Sequence, residues 1–315
     1  MPLLHVISPG FQTTVQDLGR YGYAHLGVSA SGAADAVSLR LGNLLVGNPE
    51  QTPALEMTLV GTILRFEGNS IVAITGSDFQ PDLDGVAVPL WTSLEVRAGQ
   101  LLSFKATRSG ARCYLSIRGG IEVPLVLGSV STHLTTGLGG YWGRSLRKGD
   151  VLTLMPVPNE AFLPKRVSEN LLLSLKRDVV RLTRSSHANL FPKSSFSMLC
   201  DSEYEVSEES NRMGIRLIGE PLVQANKKEI ITEGVPLGAV QIPHGGQPII
   251  LFVEHQTTGG YPKIANVISA DFHAIGQLRP RDCVSFEFVE IETAVRLAKE
   301  LHSLINPLSL IPYHG

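Results

Sequence analysis

The stretch ALEMTLVGTILRF, residues 54–66, indicates the fold of this chain most directly. Apolar residues alternate from Leu55 to Leu59, Val60-Gly61 makes a turn, and Ile63 to Phe66 forms a second apolar run. Period-two alternation is typical of strands, and similar short runs separated by turn residues continue to Arg118. The pattern predicts antiparallel β structure in a barrel or sandwich, and not alternating βαβ units. Glu56, between core-facing positions, is expected to be a solvated or paired surface charge.

Length and composition limit the class of protein. A chain of 315 residues suggests two domains, each large enough to bury a core, and 43 % hydrophobic with 18 % charged residues indicates a well-packed globular protein. The 27 basic and 29 acidic side chains give a formal net charge of -2. We therefore expect neither nucleic acid nor an anionic membrane as a partner, because no broad basic field is available.

Cysteine usage and the N-terminal sequence bear on the compartment. Cys113, Cys200 and Cys283 are far apart and show no Cys-x-x-Cys spacing, which favours a reducing environment over a disulfide scaffold or a zinc knuckle. The first ten residues have no basic segment followed by an apolar one, and no later run reaches membrane-spanning length. We expect a cytoplasmic protein.

Two helices and a domain boundary can be placed along the chain. Apolar residues at helical spacing follow Ser29–Asp35, where a serine could cap the helix, and Gly47-Asn48-Pro49 ends it. A second amphipathic helix is predicted from about Glu290 to Leu304, packed either on its own barrel or against a partner. The predicted domains are residues 1–165 and 176–290, followed by a C-terminal helix and tail at 291–315.

Two polar loops resemble each other. The segment Glu254–Asn266 joins two apolar runs and contains Gly259-Gly260, which would permit positive backbone angles or close approach of a ligand. Taken alone, such a loop is better explained as an ordinary hairpin turn with Gly-Gly at its tip. The segment Thr13–Gly22 repeats its glutamine, glycine and tyrosine at the same spacing, as Gln16, Gly19 and Tyr21 against Gln256, Gly259 and Tyr261. This indicates an internal duplication in which both loops form the wall of a substrate pocket.

Other polar groups are candidates for ligand binding. Gln241 is one amide in an apolar run, so it is either a satisfied core residue or a ligand contact. Asn211-Arg212 precedes an alternating strand and could clamp a carboxylate. The glycine-rich region 118–144 lacks the Gly-x-x-x-x-Gly-Lys-Ser/Thr sequence of a phosphate-binding loop and is expected to form tight turns. Anion binding there stays an alternative because of Arg144.

Standard catalytic patterns are absent from the sequence. It contains no Gly-x-Ser-x-Gly and no His-Glu-x-x-His, and its nine histidines show no metal-ligand pairing. We therefore expect no metal site. An active site would be built from amides, hydroxyls, arginine and lysine on loops, which suits a small polar molecule with carboxylate and amide groups.

Short motifs recur along nearly the whole chain: Pro9-Gly10, Thr13–Arg20, Ser31-Gly32-Ala33 with Asp35, Leu45–Asn48, Leu55–Thr58, Gly119–Ile121, Val123-Pro124, Val126–Ser129, Ser210–Gly214, Gly238–Gln241 and Gln256–Ala265. Together these motifs resemble the carboxyltransferase subunit family known as KipA, as the 5-oxoprolinase C subunit or as allophanate hydrolase subunit 2.

The resemblance implies a fold, partners and an activity. The fold would be mainly β, with two cyclophilin-like antiparallel β-barrel domains and a few short helices. The partners would be a KipI-like protein, which is the B subunit, and a lactam-utilisation type protein, which is the A subunit. The complex would open 5-oxoproline to glutamate with ATP, whose site is shared with a partner subunit. The Met-Lys-Met sequence for biotin attachment is absent, so biotin enters only in an alternative reading and would need a carrier supplied from outside this sequence.

The resemblance also nominates site residues. The candidate catalytic residues are Asp17, Asp35 and Lys263, with either aspartate as the acid-base group. The candidate substrate-binding residues are Gln16, Arg20, Ser29, Arg212, Gln241, Gln256, Thr257, Thr258, Gly259, Gly260 and Tyr261. Within this set, Arg212 or Lys263 would neutralise a carboxylate or phosphate, and the glutamine and threonine side chains would orient the lactam.

Three positions depart from the family pattern. His255 stands where an arginine usually precedes Gln256, Val130 replaces an arginine, and Arg281 stands where Pro-Gly-Asp is usual. The two lost guanidiniums put anion binding at those points in doubt. The leading hypothesis is a subunit of an ATP-dependent 5-oxoprolinase. The alternatives are a biotin-dependent carboxyltransferase acting on urea or a related amide, and a regulatory protein that binds a KipI-like partner.

Overall fold

The computed structural model describes residues 2–157, 161–225 and 230–313. The strands within these ranges are β1 Leu3–Ser8, β2 Gln12–Gln16, β3 Ala54–Thr58, β4 Ile63–Phe66, β5 Ser70–Gly76, β6 Asp82–Leu83, β7 Val86–Ala87, β8 Ser93–Val96, β9 Leu101–Ser103, β10 Arg112–Ile117, β11 Val151–Thr153, β12 Lys165–Val167, β13 Val179–Arg184, β14 Tyr204–Val206, β15 Gly214–Ile218, β16 Glu233–Gly234, β17 Ala239–Gln241, β18 Ile249–Leu251, β19 Thr258–Gly259, β20 Lys263–Val267, β21 Cys283–Phe288 and β22 Leu310–Pro312. The α-helices are α1 Ala36–Leu45, α2 Glu169–Leu175, α3 Lys193–Asp201, α4 Phe272–Gly276 and α5 Ile291–Leu304.

Contacts group the chain into two compact units. The first contains residues 1–20, 31–175 and 304–315, and the second contains 21–30 and 176–303. The tail after α5 belongs to the first unit because β22 pairs antiparallel with β12. This grouping differs from the predicted boundaries at residues 21–30 and at the tail. None of the helices in the described ranges is long and apolar enough to cross a membrane.

The first unit contains two antiparallel sheets. One has the strand order β11-β1-β4-β9-β6-β7 and the other β2-β3-β10-β5-β8. Side chains from both sheets, such as Leu4, Phe66, Leu55 and Leu115, are fully buried in one core cluster. The mainly β class is confirmed, but the strands of this unit form two separate sheets instead of one closed barrel. The edge strand β7 has only two residues and offers little backbone for further pairing.

The second unit is a closed seven-stranded barrel in the order β13-β20-β17-β18-β15-β14-β21. The ring closes through β13 and β21, which run parallel, whereas the prediction was antiparallel throughout. A local pattern cannot specify this direction, because it depends on how distant strands meet. β16 and β19 form a separate two-stranded ladder beside the candidate site.

The helices begin and end close to the predicted positions. Helix α1 is capped by Asp35, which accepts a hydrogen bond from the Ser38 amide at 2.9 Å, and not by a serine as expected. Gly47 follows the helix with a positive φ of 75°. Helix α5 begins one residue after the predicted start, and none of its residues is buried.

Candidate functional site

A row of side chains crosses three neighbouring strands of the barrel. Gln241 on β17 pairs with Ile249 on β18, and Ile249 pairs with Arg216 on β15. Residues at adjacent strand positions point to opposite faces, so this row lies on the face opposite the buried core residues. Those core residues are Val240, Ile250 and Ile215, each at most 2 % exposed.

A cavity of about 300 Å³ lies over this row. The three strand residues line it together with Met213, and Gln256 and Tyr261 line it from the loop that was predicted as a pocket wall. Gln241 faces away from the barrel core and yet is only 1 % exposed. The strand of Gln241 also has an irregular register, which shifts between Val240 and Gln241 against β20, and such bulges are frequent beside functional sites.

Two glutamine amides meet in the cavity. The Gln256 Nε2 donates to the Gln241 Oε1 at 3.4 Å, which directs the Gln241 Nε2 elsewhere. That Nε2 is buried and has no hydrogen-bond partner among the described residues. An unsatisfied buried donor costs about 1–3 kcal/mol, and a ligand acceptor would remove that cost.

Glycine at position 259 lets the backbone pack closely against this donor. A Cβ on Gly259 would lie 2.8 Å from the Gln241 Nε2. Neither Gly259 nor Gly260 has a positive φ, so the reason for glycine at 259 is close approach and not backbone conformation. The chain around it is fixed by the pairing of β19 with β16 and by the Thr257 carbonyl, which accepts from the Val235 amide at 3.0 Å. The Thr258 side chain is exposed.

Lys263 belongs to a cluster of three titratable groups in the same unit. Its ammonium group bonds to the Glu233 carboxylate, which also lies 3.2 Å from the His187 Nε2. The hydrogen bond from Lys263 lowers the pKa of Glu233, while burial and the Lys263 charge lower the pKa of His187. The Lys263 amide approaches the His187 Nδ1 at 3.4 Å, so the neutral ring would direct an Nε2 proton at Glu233. The predicted anion-neutralising lysine is thus paired within the chain.

Arg212 is likewise paired and does not line the cavity. Its Nε lies 2.5 Å from the Glu254 Oε1, and both residues are at most 5 % exposed. The Glu254 amide also donates to the Arg212 carbonyl at 2.8 Å. The prediction that Arg212 clamps a substrate carboxylate does not fit these contacts, because the guanidinium is already bonded to Glu254. The sequence pattern around Arg212 gave no sign of this partner.

In the first unit, Asp17 organises a loop. Its carboxylate accepts hydrogen bonds from the Gly19 amide at 2.8 Å, the Ser129 hydroxyl at 2.6 Å and the Val130 amide at 2.8 Å, and from the Ser131 hydroxyl. The carboxylate is therefore surrounded by donors from its own unit. These contacts favour a positioning role over the predicted role of a proton donor or acceptor.

The other candidates from the N-terminal motif are buried. The Arg20 guanidinium donates to the Ser131 carbonyl and lies 3.5 Å from the Val126 carbonyl. The Gln16 Nε2 donates to the Thr132 carbonyl at 3.1 Å, while its Oε1 has no partner in the part of the chain that is described. Ser29 is 5 % exposed. Gln16 and Arg20 belong to the first unit, whereas Gln256 belongs to the second, and whether the two loops share a pocket stays a prediction.

Asp35 is part of a buried network that the sequence did not reveal. Its amide donates to the Tyr114 hydroxyl at 2.7 Å, and that hydroxyl donates to Glu56 at 2.7 Å. Burial, followed by the Glu56 and Asp35 carboxylates, raises the pKa of Tyr114. Glu56 is 1 % exposed and lies 3.9 Å from Arg112, so its prediction as a surface charge is wrong. Together with its role as the cap of α1, this places Asp35 in the framework of the first unit.

The departures from the family pattern have separate structural outcomes. Val130 is packed in the core cluster of the first unit. His255 contacts its own loop, since its Nδ1 lies 2.6 Å from the Gln256 carbonyl, and burial lowers the pKa of the His255 imidazole. Arg281 has a φ of 72° and pairs with Glu208 at 2.6 Å on the surface. No cluster of histidine, cysteine and acidic side chains that could hold a metal occurs within the described ranges.

Comparison with known proteins finds a matching protein family, full-length relatives and a similar solved structure. The carboxyltransferase domain family, subdomains A and B, matches residues 26–288. The 5-oxoprolinase C subunit of Escherichia coli is 39 % identical over 98 % of both chains, and that of Haemophilus influenzae is 37 % identical over 95 % of both. The crystal structure of the Kluyveromyces lactis urea amidolyase is 33 % identical with a TM-score of 0.92; the match covers 99 % of this chain and 20 % of that one. This chain is a member of the carboxyltransferase domain family, subdomains A and B.

Proposed function

We propose that this chain is the C subunit of an ATP-dependent 5-oxoprolinase, which opens 5-oxo-L-proline to L-glutamate. The observation that carries the proposal is the similarity to two proteins of that name over 95–98 % of their length. A match of this extent includes both units of the chain, so the proposal does not rest on one shared motif. The cavity on the barrel of the second unit supplies a place for the substrate.

The reaction requires a polar site because an unstrained amide is a poor electrophile. Water adds its oxygen to the lactam carbonyl carbon, the C–N bond breaks, and the ring nitrogen gains a proton to become the amino group of glutamate. ATP is consumed as a second substrate: its terminal phosphoanhydride bond breaks, a second water takes up the phosphoryl group to give phosphate and ADP, and this cleavage makes the opening favourable. Fixed donors beside the carbonyl stabilise the negative charge that develops on its oxygen.

We assign the binding of the lactam carbonyl to Gln241. Its Nε2 is the buried donor that lacks a described partner, and the absence of a side chain at Gly259 lets the backbone approach it closely. Gln256 acts as a positioning residue, because its Nε2 donates to the Gln241 Oε1 and so sets the orientation of the Gln241 amide. Lys263 stays a candidate for proton transfer because it contacts the Glu233 carboxylate, which in turn contacts the His187 ring.

The nucleotide site is proposed to be completed by partner proteins. The glycine-rich region 118–144 does not fit a phosphate cradle, because Arg144 makes two hydrogen bonds to Asp150 at 2.7 and 2.9 Å. The Gly119 amide is also occupied, since it donates to the Asn48 Oδ1 at 2.8 Å. We therefore propose that the KipI-like and lactam-utilisation type partners supply most of the ATP site and complete the enzyme.

Reconstitution tests this proposal. The chain is mixed with its two partner proteins, ATP and 5-oxo-L-proline, and glutamate and ADP are measured, with the E. coli relative as a positive control. We expect equal amounts of glutamate and ADP, formed only when all three proteins are present. Absence of glutamate, while the same partners are active with the relative, would refute the proposal.

A second candidate function is transfer of a carboxyl group from biotin to urea or a related amide. The similarity to the K. lactis urea amidolyase at a TM-score of 0.92 favours it. Bicarbonate dependence and inhibition by avidin distinguish the two activities. Turnover of urea that requires bicarbonate and stops on addition of avidin would support the second candidate, and glutamate formation indifferent to both would exclude it.

A further inference from the structure

Arg216 lies at the opposite end of the cavity row from Gln241. The registers Gln241 with Ile249 and Ile249 with Arg216 place the two polar residues two strands apart on one face of the barrel. Neighbouring strands are about 4.8 Å apart, so their Cα atoms are separated by roughly 10 Å. The cavity is thus lined by Gln241 at one end of the row and by Arg216 at the other, with Ile249 between them.

The charge of Arg216 is available for a ligand. Its Nε lies 3.9 Å from the Glu209 Oε2, and the two side chains are 50 % and 81 % exposed, so this pair is loose and weak. The cationic side chains Arg212 and Lys263 are instead bonded to carboxylates of the same unit. A carboxylate binds an arginine fork by two parallel hydrogen bonds, which a neutral group cannot match.

The backbone of Arg216 is held in place. Its amide donates to the Ser210 hydroxyl at 3.0 Å, and its carbonyl accepts from the Ser207 amide at 2.9 Å. These contacts join the loop between β14 and β15 to strand β15 itself. The side chain therefore starts from a defined position on the cavity wall, although its tip is exposed.

The two polar residues of the cavity row complement the two polar ends of a lactam that carries a carboxylate. Ordinary bond lengths put the carbonyl oxygen and the nearer carboxylate oxygen of a five-membered lactam 2-carboxylate about 5 Å apart. Two hydrogen bonds of about 2.9 Å extend the span between the two donor atoms to roughly 11 Å, a distance that two long side chains on strands with Cα atoms roughly 10 Å apart can bridge. The ring methylenes would lie against Ile249, Met213 and Tyr261.

We propose that Arg216 is the specificity-determining residue of this site, because it binds the carboxylate of the substrate. The site would then take carboxylated γ-lactams and reject uncharged lactams and urea. This inference rests on the proposed function and adds a residue and a substrate class to it. Arg216 would contribute binding and not ring opening, so its loss would raise KM and leave kcat nearly unchanged.

The test compares R216Q and R216K with R296Q. Arg296 is a surface arginine of helix α5 whose side chain is 60 % exposed, so R296Q removes the same charge away from the cavity. Binding of 5-oxo-L-proline, 2-pyrrolidinone and acetate to the full chain is measured by titration calorimetry, and KM and kcat are measured in the reconstituted complex.

We expect R216Q to weaken binding of 5-oxo-L-proline about 10- to 100-fold, as for a lost charge-assisted hydrogen bond, and to raise KM by the same factor. R216K should fall between R216Q and the unaltered chain, R296Q should match the unaltered chain, and 2-pyrrolidinone should bind all four proteins equally weakly. Unchanged binding of 5-oxo-L-proline by R216Q would overturn the proposal. So would 2-pyrrolidinone or acetate binding as tightly as 5-oxo-L-proline, or no detectable binding by the chain or the complex.

Failure of this inference and of the proposed function can be distinguished. If the complex forms glutamate and R216Q keeps the KM of the unaltered chain, the assignment of Arg216 is wrong and the proposed function stands. If the chain binds 5-oxo-L-proline in an Arg216-dependent way and the complete complex forms no glutamate, the proposed function is wrong and the carboxylate site stands.

Discussion

Replacing Arg212 by methionine should destabilise the second unit strongly. The Arg212 guanidinium and the Glu254 carboxylate lie 2.5 Å apart and are nearly inaccessible to water. Removing one partner of a buried ion pair leaves the other charge without compensation, which costs about 3–5 kcal/mol. For a unit of this size each kcal/mol lowers Tm by about 2–4 °C, so R212M should lower Tm by roughly 6–20 °C.

Calorimetry of the full chain measures this effect. Both tryptophans, Trp91 and Trp142, belong to the first unit, so tryptophan fluorescence follows that unit while calorimetry follows the whole chain. R296M removes an exposed arginine and should change stability by less than about 0.5 kcal/mol. The double variant R212M/E254M should be more stable than R212M, because no charge then stays buried without its partner.

A substrate-binding role of Arg212 would give a different result for R212M. If Arg212 served the substrate instead, as the sequence motif suggested, R212M would keep the Tm of the unaltered chain and raise KM for 5-oxo-L-proline. That combination would refute the assignment of Arg212 as a structural partner of Glu254, and with it the choice of Arg216 as the cation available in the cavity.

Three further predictions concern single positions. G259A should place a methyl group against the Gln241 amide and abolish 5-oxo-L-proline binding in calorimetry, while G234A, in the paired strand with open space around it, should bind normally; equal binding by both would contradict the role of Gly259. R281G should raise the free energy of unfolding by up to about 1 kcal/mol in denaturant titration, because Arg281 has a positive φ that glycine adopts without strain, and a loss of stability would contradict this reasoning. Burial opposes ionisation of Asp271, but hydrogen bonds and charges from two arginines hold its pKa below the usual value of 3.8, so it stabilises the fold above pH 4 and loses this contribution as pH falls further. D271N should therefore lower Tm at pH 7 and differ less from the unaltered chain near pH 3, and an equal difference at both pH values would contradict the linkage.

The fold was predictable where the signal is local. Alternating apolar residues from Leu55 to Phe66 correspond to β3 and β4, and helical spacing with a glycine stop located α1. Closure of the second unit through the parallel pair β13 and β21 could not be predicted, because it depends on strands more than 90 residues apart in sequence. The same holds for the division of the first unit into two sheets.

The candidate site was predictable in its amides and not in its charges. Gln241 and Gln256 were chosen from motifs and do line one cavity. Arg216 was missed as a site residue, although the alternation in β15 places it on the same face as the cavity and could have indicated it. Arg212 and Asp17 were predicted to bind substrate and to transfer protons. Their partners in the structure lie 42 and more than 110 residues away in sequence, respectively, and local residue patterns do not show such pairs.

The measurement that tests the account most directly is glutamate formation by the reconstituted complex with the unaltered chain, with Q241L, and without this chain. We predict one glutamate per ADP with the unaltered chain, insensitive to avidin, and no glutamate when the chain is omitted. Q241L should reduce kcat/KM for 5-oxo-L-proline at least about 10-fold, because the buried donor to the lactam carbonyl is lost. Glutamate formed at the same rate without this chain, or with Q241L at the rate of the unaltered chain, would contradict the account.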